Sequence, residues 1–175
     1  MIKLSPLVKT DVTPFYSWIN DEEVIKYSLS SFKEINTNQE VDRWFEKTLE
    51  DTKSINLGIS LKQTNQLIGY AGISGISKLN RSGEYFIFIG EKQCWGQGIG
   101  TEVTKQILKL GFSDFGFNRI MLTVSEPNIW GIKAYENAGF KIEGHLRQAG
   151  YRNGQFPHKI VMAVLKSERE KKKDF

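Results

Sequence analysis

The chain has 175 residues, 39% of them hydrophobic and 25% charged, and a formal net charge of +4 at pH 7. It reads as an ordinary globular protein of one domain over residues 1–175, and no apolar run approaches the roughly 20 residues of a membrane span. The single cysteine, Cys94, excludes an internal disulfide and fits a reducing cytoplasm.

The opening "MIKLSPLVKT" lacks the continuous apolar stretch of a signal peptide, and "IKLSPLV" predicts a first strand. Residues 10–27 carry Val12, Phe15, Trp18, Ile19 and Val24, which fits one or two short helices. Thr37 can cap a helix running to about 51, with Val41, Trp44, Phe45 and Leu49 on one apolar face. Ile55, Leu57, Ile59 and Leu61 alternate strictly, as in a half-buried strand. "QLIGYAGIS" and "GEYFIFIG" complete an antiparallel meander around the turn "SKLNRSG". A helix with Ile99, Val103, Ile107 and Leu110 follows, then the strand "RIMLTV", a helix from about 128 to 138 and a strand from Phe140. Asn153-Gly154 signals a hairpin turn before the last strand, "KIVMAVL". The tail "SEREKKKDF" holds the densest charge and reads as a solvated helix end or frayed terminus. No aromatic-studded basic stripe accompanies it, which argues against nucleic-acid binding.

The segment "QCWGQGIGTEV", residues 93–103, places three glycines in five positions between a strand and a helix. Glycine costs about 0.5–1 kcal/mol against alanine inside regular structure, so the cluster needs a reason. Three readings compete. One is a tight structural turn. A dinucleotide fingerprint fails, because its third glycine would fall on Thr101 and no acid stands near 118–120 to hold a ribose. The P-loop pattern fails too, since no Gly-Lys-Ser/Thr ends the loop. The remaining reading is a pyrophosphate cradle at a helix start, where amides and the helix dipole face an anion.

Gln93, Cys94, Trp95, Gly96, Gln97 and Gly98 resemble the Q/R-x-x-G-x-G/A signature of the GNAT superfamily of acetyl-CoA-dependent N-acetyltransferases. "NIWGIKAYENAGF", residues 128–140, is similar to that family's N-x-x-A/S-I-x-x-Y-E-x-x-G-F segment. "EGHLR" at 143–147 adds to the likeness, and "WINDEEV" with "RWF" resembles the branch of ribosomal-protein-alanine, spermidine and amino-sugar acetyltransferases. The resemblance implies an α/β (α+β) GNAT fold: a mixed, mainly antiparallel sheet of about six to seven strands with helices on both faces.

It also implies a site. The amides of Gln93, Cys94, Trp95, Gly96, Gln97, Gly98, Ile99, Gly100 and Thr101 would surround the pyrophosphate of acetyl-CoA. The backbone of Ile87, Phe88 and Ile89 would pair with the pantetheine arm, and an N–H there would polarise the thioester carbonyl. Asn128 would reach the cofactor, or simply cap its helix after Pro127. Tyr135 matches the tyrosine beside the coenzyme sulfur and would protonate the leaving thiolate; by spacing alone it reads first as a core aromatic, and the motif reverses that preference. Glu84, or an ordered water, would take a proton from the amine, which is largely protonated near pH 7; the bland alternative is an exposed strand-end carboxylate.

Cys94 has no His or Asn/Asp partner that would make it a nucleophile, and His145 and His158 are too few and too far apart in sequence for a metal site, so no metal is expected. Trp95 and Trp130 would shield the cofactor or pack locally. Three positions depart from the family: Gly131 for Ala/Ser, Asn137 for Lys/Arg, and "FPHK" (156–159) where an aspartate is common. The expected activity is transfer of acetyl to a primary amine, with a protein N-terminus as the favoured acceptor. An amino sugar and, less so, a polyamine are small-molecule alternatives, and a non-catalytic acyl-CoA-binding domain is the competing class. A cytoplasmic monomer or homodimer, with no membrane or nucleic-acid partner, completes the expectation.

Overall fold

The computed structural model describes residues 1–28 and 30–170; Leu29 of the "YSLSSFK" stretch and the last five residues of the charged tail lie outside them. In chain order the elements are β1 (Ile2–Pro6), α1 (Thr13–Ile19), α2 (Glu22–Ile25), α3 (Asn38–Glu50), β2 (Ile55–Leu61), β3 (Leu67–Ser77) and β4 (Ser82–Ile89). They continue with α4 (Ile99–Lys109), β5 (Arg119–Ser125), α5 (Ile129–Ala138), β6 (Lys141–Leu146), β7 (Lys159–Leu165) and α6 (Lys166–Glu170). The strands form one sheet of seven, in the order β1-β2-β3-β4-β5-β7-β6. The pairs β1–β2, β5–β7 and β6–β7 are antiparallel and β4–β5 is parallel, so the sheet is mixed as expected. No helix among the described residues is long and apolar enough to cross a membrane.

The chain divides into two compact units, Met1–Gly72 with Ile87–Val103, and Ile73–Phe86 with the chain from Thr104 onward. The first unit is built on aromatic rings. Phe15 of α1 sits 5.0–6.1 Å from the rings of Trp18, Trp44, Phe45, Tyr70 and Phe88, and Phe32 closes on Trp44 and Phe88 at 4.8 and 4.7 Å. Each such pair adds about 0.5–1.5 kcal/mol beyond its buried area. Helix α3 reaches this cluster through its buried Val41 and Phe45. Its start is fixed by a reciprocal cap, in which Thr37 Oγ1 accepts from Glu40 N–H at 3.2 Å and Glu40 Oε2 accepts from Thr37 N–H at 3.0 Å.

Strand β2 is more buried than its alternation predicts: Gly58, Ile59 and Ser60 are all inside. Leu67 and Leu7 cover Gly58, 2.9 and 3.0 Å from where a Cβ would stand. Ser60 is thereby a polar residue placed in the interior of a central strand.

The second unit packs β5, β7 and β6 with α5. Ile120, Leu122, Met162 and Val164 are almost fully buried. Arg119 of β5 reaches Glu143 of β6 through two bonds of 2.7 and 2.5 Å, a fork-to-carboxylate pair at the sheet surface. The Asn153-Gly154 turn forms as expected, with φ of 48° and 76°.

In the first unit, β3 and β4 approach so closely that a Cβ on Gly69 would lie 2.0 Å from the Phe88 carbonyl oxygen. Backbone cannot move aside as a side-chain tip can. Gly69→Ala is therefore expected to destabilise the protein by about 3 kcal/mol, the upper end of ordinary overpacking, as a fall in the denaturant midpoint.

Candidate active site

Beyond β4 the chain makes a short 3-10 turn at Lys92–Cys94 and enters α4 at Ile99. Gly96 and Gly98 have φ of +72° and +76°, the left-handed region that costs other residues roughly 1–2 kcal/mol. No heavy atom lies within 4 Å of a Cβ built on either. Backbone shape thus requires these two glycines, and the surface beside them is open. Gly100 is different, a residue of the first turn of α4 itself.

Two side chains fasten the loop. Gln97 Nε2 donates to the Gln93 carbonyl at 2.6 Å, and Trp95 Nε1 donates to the Ile89 carbonyl at 3.0 Å. Trp95 therefore pins the loop to the end of β4 while remaining 39% exposed. The eleven-residue α4 directs the positive end of its dipole toward the loop. Cys94 is buried, and burial, then the neighbouring Glu91 charge, pushes its thiol pKa up. A thiol so held is protonated and unsuited to nucleophilic attack.

The parallel register of β4 and β5 covers Ser82, Gly83 and Glu84 against Arg119, Ile120 and Met121. From Tyr85 onward β4 is outside that register. Its burial also changes phase, from Gly83 and Tyr85 to Phe88, the signature of a local irregularity in a strand. Phe88 spends its side chain in the aromatic cluster, so only its backbone is available to a ligand. Glu84 is half-buried at the last paired position, and its carboxylate has no hydrogen bond or ion pair among the described residues.

Helix α5 begins at Asn128, whose Oδ1 accepts from Gly131 N–H at 3.0 Å. The capping role is thus real. It also accounts for Gly131, because a Cβ there would lie 2.6–3.0 Å from the side-chain atoms of Asn128. The neighbouring Trp130 is 82% exposed and does not pack locally.

Tyr135, on the same helix, lies edge-on to Tyr85 at 6.0 Å and 6.1 Å from Phe140. Burial of its hydroxyl pushes its pKa up to about 12. Tyr85 is a feature that sequence reading missed. Its hydroxyl and that of Thr104 are 2.9 Å apart, and both residues are buried. Burial, and secondarily Tyr135, holds the Tyr85 pKa well above the ordinary phenol value. The pair joins β4 to α4 beside Tyr135, and only the fold brings Tyr85 and Thr104 together.

Ile87, Phe88, Ile89 and the loop 93–101 all belong to the first unit, whereas Glu84, Asn128 and Tyr135 belong to the second. His145 and His158, remote in sequence, line one cavity, because β6 pairs with β7. Among the described residues no three His, Cys, Asp or Glu side chains group as metal ligands.

A family model described as "Acetyltransferase (GNAT) domain" matches residues 2–141. The chain belongs to the GNAT acetyltransferases. It is an acetyl-CoA-dependent N-acetyltransferase of that type. It is 29% identical to an uncharacterized N-acetyltransferase, YoaA, of Bacillus subtilis, over 87% of this chain and 85% of that one. To the spermidine N(1)-acetyltransferase of Vibrio cholerae it is 25% identical, over 95% of this chain and 94% of the relative. The crystal structure of spermidine N-acetyltransferase from Vibrio cholerae in complex with CoA and spermine has the same fold, with a TM-score of 0.85 and 23% identity, covering 95% and 96% of the two chains.

The open, left-handed Gly98 generates a binding prediction for this GNAT protein. Gly98→Val places a branched side chain at φ +76° beside the loop. If the loop amides hold the pyrophosphate, the displaced backbone and the added side chain are expected to reduce acetyl-CoA affinity by about tenfold or more, measured by calorimetry. An unchanged affinity would remove this loop from the cofactor site.

Proposed function

We propose that this chain transfers acetyl from acetyl-CoA to the primary amine of a small molecule by direct attack in a ternary complex. The observation that carries the reading is Tyr135, a half-buried residue on the motif helix whose phenol keeps its proton throughout the neutral range. In the proposed step the amine nitrogen attacks the thioester carbon, and strand N–H groups at 87–89 hold the oxyanion. The C–S bond then breaks. The amine's proton passes to Glu84 or a water, and Tyr135 supplies one to the coenzyme sulfur. The loop 93–101 and Asn128 hold the cofactor.

In water, a phenol at about 12 is too weak to protonate a thiolate whose conjugate acid is near 8.5. A thiolate formed beside Tyr135 would be subject to the same desolvation, which raises its pKa as well. Tyr135 thus stabilises the leaving sulfur first by hydrogen bonding and completes the transfer as charge accumulates.

Curated relatives with a named acceptor act on spermidine, which supports a small molecule over the protein N-terminus that the branch resemblance favoured. A polycation needs free clustered carboxylates. Near the opening helices, Asp21 and Glu23 both pair with Lys92, Asp42 accepts from Tyr16, and Glu40 is used by its helix cap. With these acids engaged, Glu22 and Glu34 remain as carboxylates there without a side-chain partner among the described residues, which favours an amine of low charge over a long polycation. An assay of released thiol with spermidine, monoamines and short alanine- or serine-initiated peptides tests this. The monoamines are expected to be the best substrates; efficient turnover of spermidine alone overturns the acceptor reading, and no release with any amine favours a non-catalytic acyl-CoA-binding domain.

Tyr135→Phe is expected to leave acetyl-CoA affinity nearly intact and to lower turnover by roughly 10²–10⁴-fold. Because burial raises the Tyr135 pKa, its proton is lost only near pH 12, so wild type and variant should show pH–rate profiles of the same shape between pH 6 and 10. An alkaline limb in that range that disappears in the variant would contradict the raised pKa while supporting Tyr135 as the acid.

A further inference from the structure

The connection between β6 and β7 has an unusual charge. Residues 144–159 include Arg147, Arg152 and Lys159 and no Asp or Glu. The segment is a built arm. Gln148 N–H donates to His158 Nδ1 at 2.8 Å, Gly150 N–H to the Pro157 carbonyl at 3.1 Å, and Arg152 and Gln155 exchange backbone bonds of 2.9 and 2.8 Å. Two left-handed residues, Asn153 and Gly154, close its tip.

At the root of the arm lies a cavity of about 640 Å³ lined by His145, Leu146, Arg147, Gln148 and His158. Arg147 is exposed and makes no ion pair among the described residues. Because His158 Nδ1 accepts a backbone bond, the proton of its neutral ring is on Nε2, available to donate. The carboxylate of Glu126 stands 3.7 Å from His145 Nδ1 and engages that ring instead of Arg147. The root is tied to the start of α5, since Glu126 N–H donates to the His158 carbonyl at 3.0 Å and Asn128 follows two residues later. Farther out, the exposed rings of Tyr151 and Phe156 lie 5.1 Å apart.

We propose that this cavity binds an oxyanion, a carboxylate or a phosphate, carried by the acceptor amine. Arg147 is its principal contact and His158 Nε2–H its second. A guanidinium offers a planar fork that matches either oxyanion, and here no internal carboxylate occupies it. The inference rests on the acetyl-transfer reading only in calling the bound molecule the acceptor. The same cationic arm would repel a polyamine.

The test uses matched probes: β-alanine with β-alaninamide for the carboxylate, and O-phosphoethanolamine with ethanolamine for the phosphate. Wild type, Arg147→Gln and Arg147→Lys are compared by thiol release and by calorimetric binding to the CoA-saturated protein. The anionic member of at least one pair is expected to be favoured about tenfold or more, the range of a charge-assisted contact. Arg147→Gln should erase this preference through KM with kcat little changed, and Arg147→Lys should restore part of it. Equal or better use of the neutral members, a preference that survives Arg147→Gln, or no binding of either anionic probe overturns the site. Arg147-dependent binding without thiol release leaves the site standing and removes the transfer reading. Thiol release without discrimination does the reverse.

Discussion

The parallel pairing of β4 with β5 covers Ser82, Gly83 and Glu84, and the proposed cofactor contact uses the backbone of β4 beyond them. A parallel neighbour paired along its whole length would occupy the amides and carbonyls of β4 on that side. A strand released from its partner can instead offer backbone to a ligand, which an extended pantetheine arm is suited to accept. The released end of β4 is still held in place. Phe88 is gripped by the rings of Phe15, Trp18 and Phe32, and the Trp95 indole bonds the Ile89 carbonyl. The aromatic mass of the first unit thus holds the end of the strand whose backbone is proposed to meet the cofactor.

The same economy appears in the glycine loop. Gly96 and Gly98 are needed for their left-handed backbone, and open space lies beside them. The structural-turn reading of the sequence is met at these two positions, and the geometry is compatible with the proposed anion cradle. Asn128 behaves likewise, capping α5 at the place where the family directs an asparagine toward its cofactor.

Elements governed by local rules were legible from sequence. The Thr37 cap, the Asn153-Gly154 turn and the helix following the glycines all form where propensity and spacing put them. Contacts between distant segments were not legible. Nothing in the order of residues links Tyr85 to Thr104, and the wide gap between His145 and His158 concealed that antiparallel strands bring them to one cavity. The double-sided burial of β2 escaped for the same reason, because Leu7 and Leu67 cover Gly58 from outside the strand. The family motifs named Tyr135, yet the high proton affinity of its hydroxyl follows from burial that no motif encodes.

Gly131 restricts how this protein can be altered. A family-typical alanine would add a methyl group within 3 Å of the Asn128 amide, so that side chain would have to shift while it caps the helix. The atoms that must move are the end of a flexible side chain, and the family motif itself pairs this asparagine with alanine or serine three positions later. The size of residue 131 thus sets the rotamer in which Asn128 caps α5, and a comparison of this position across relatives has to follow the two residues together.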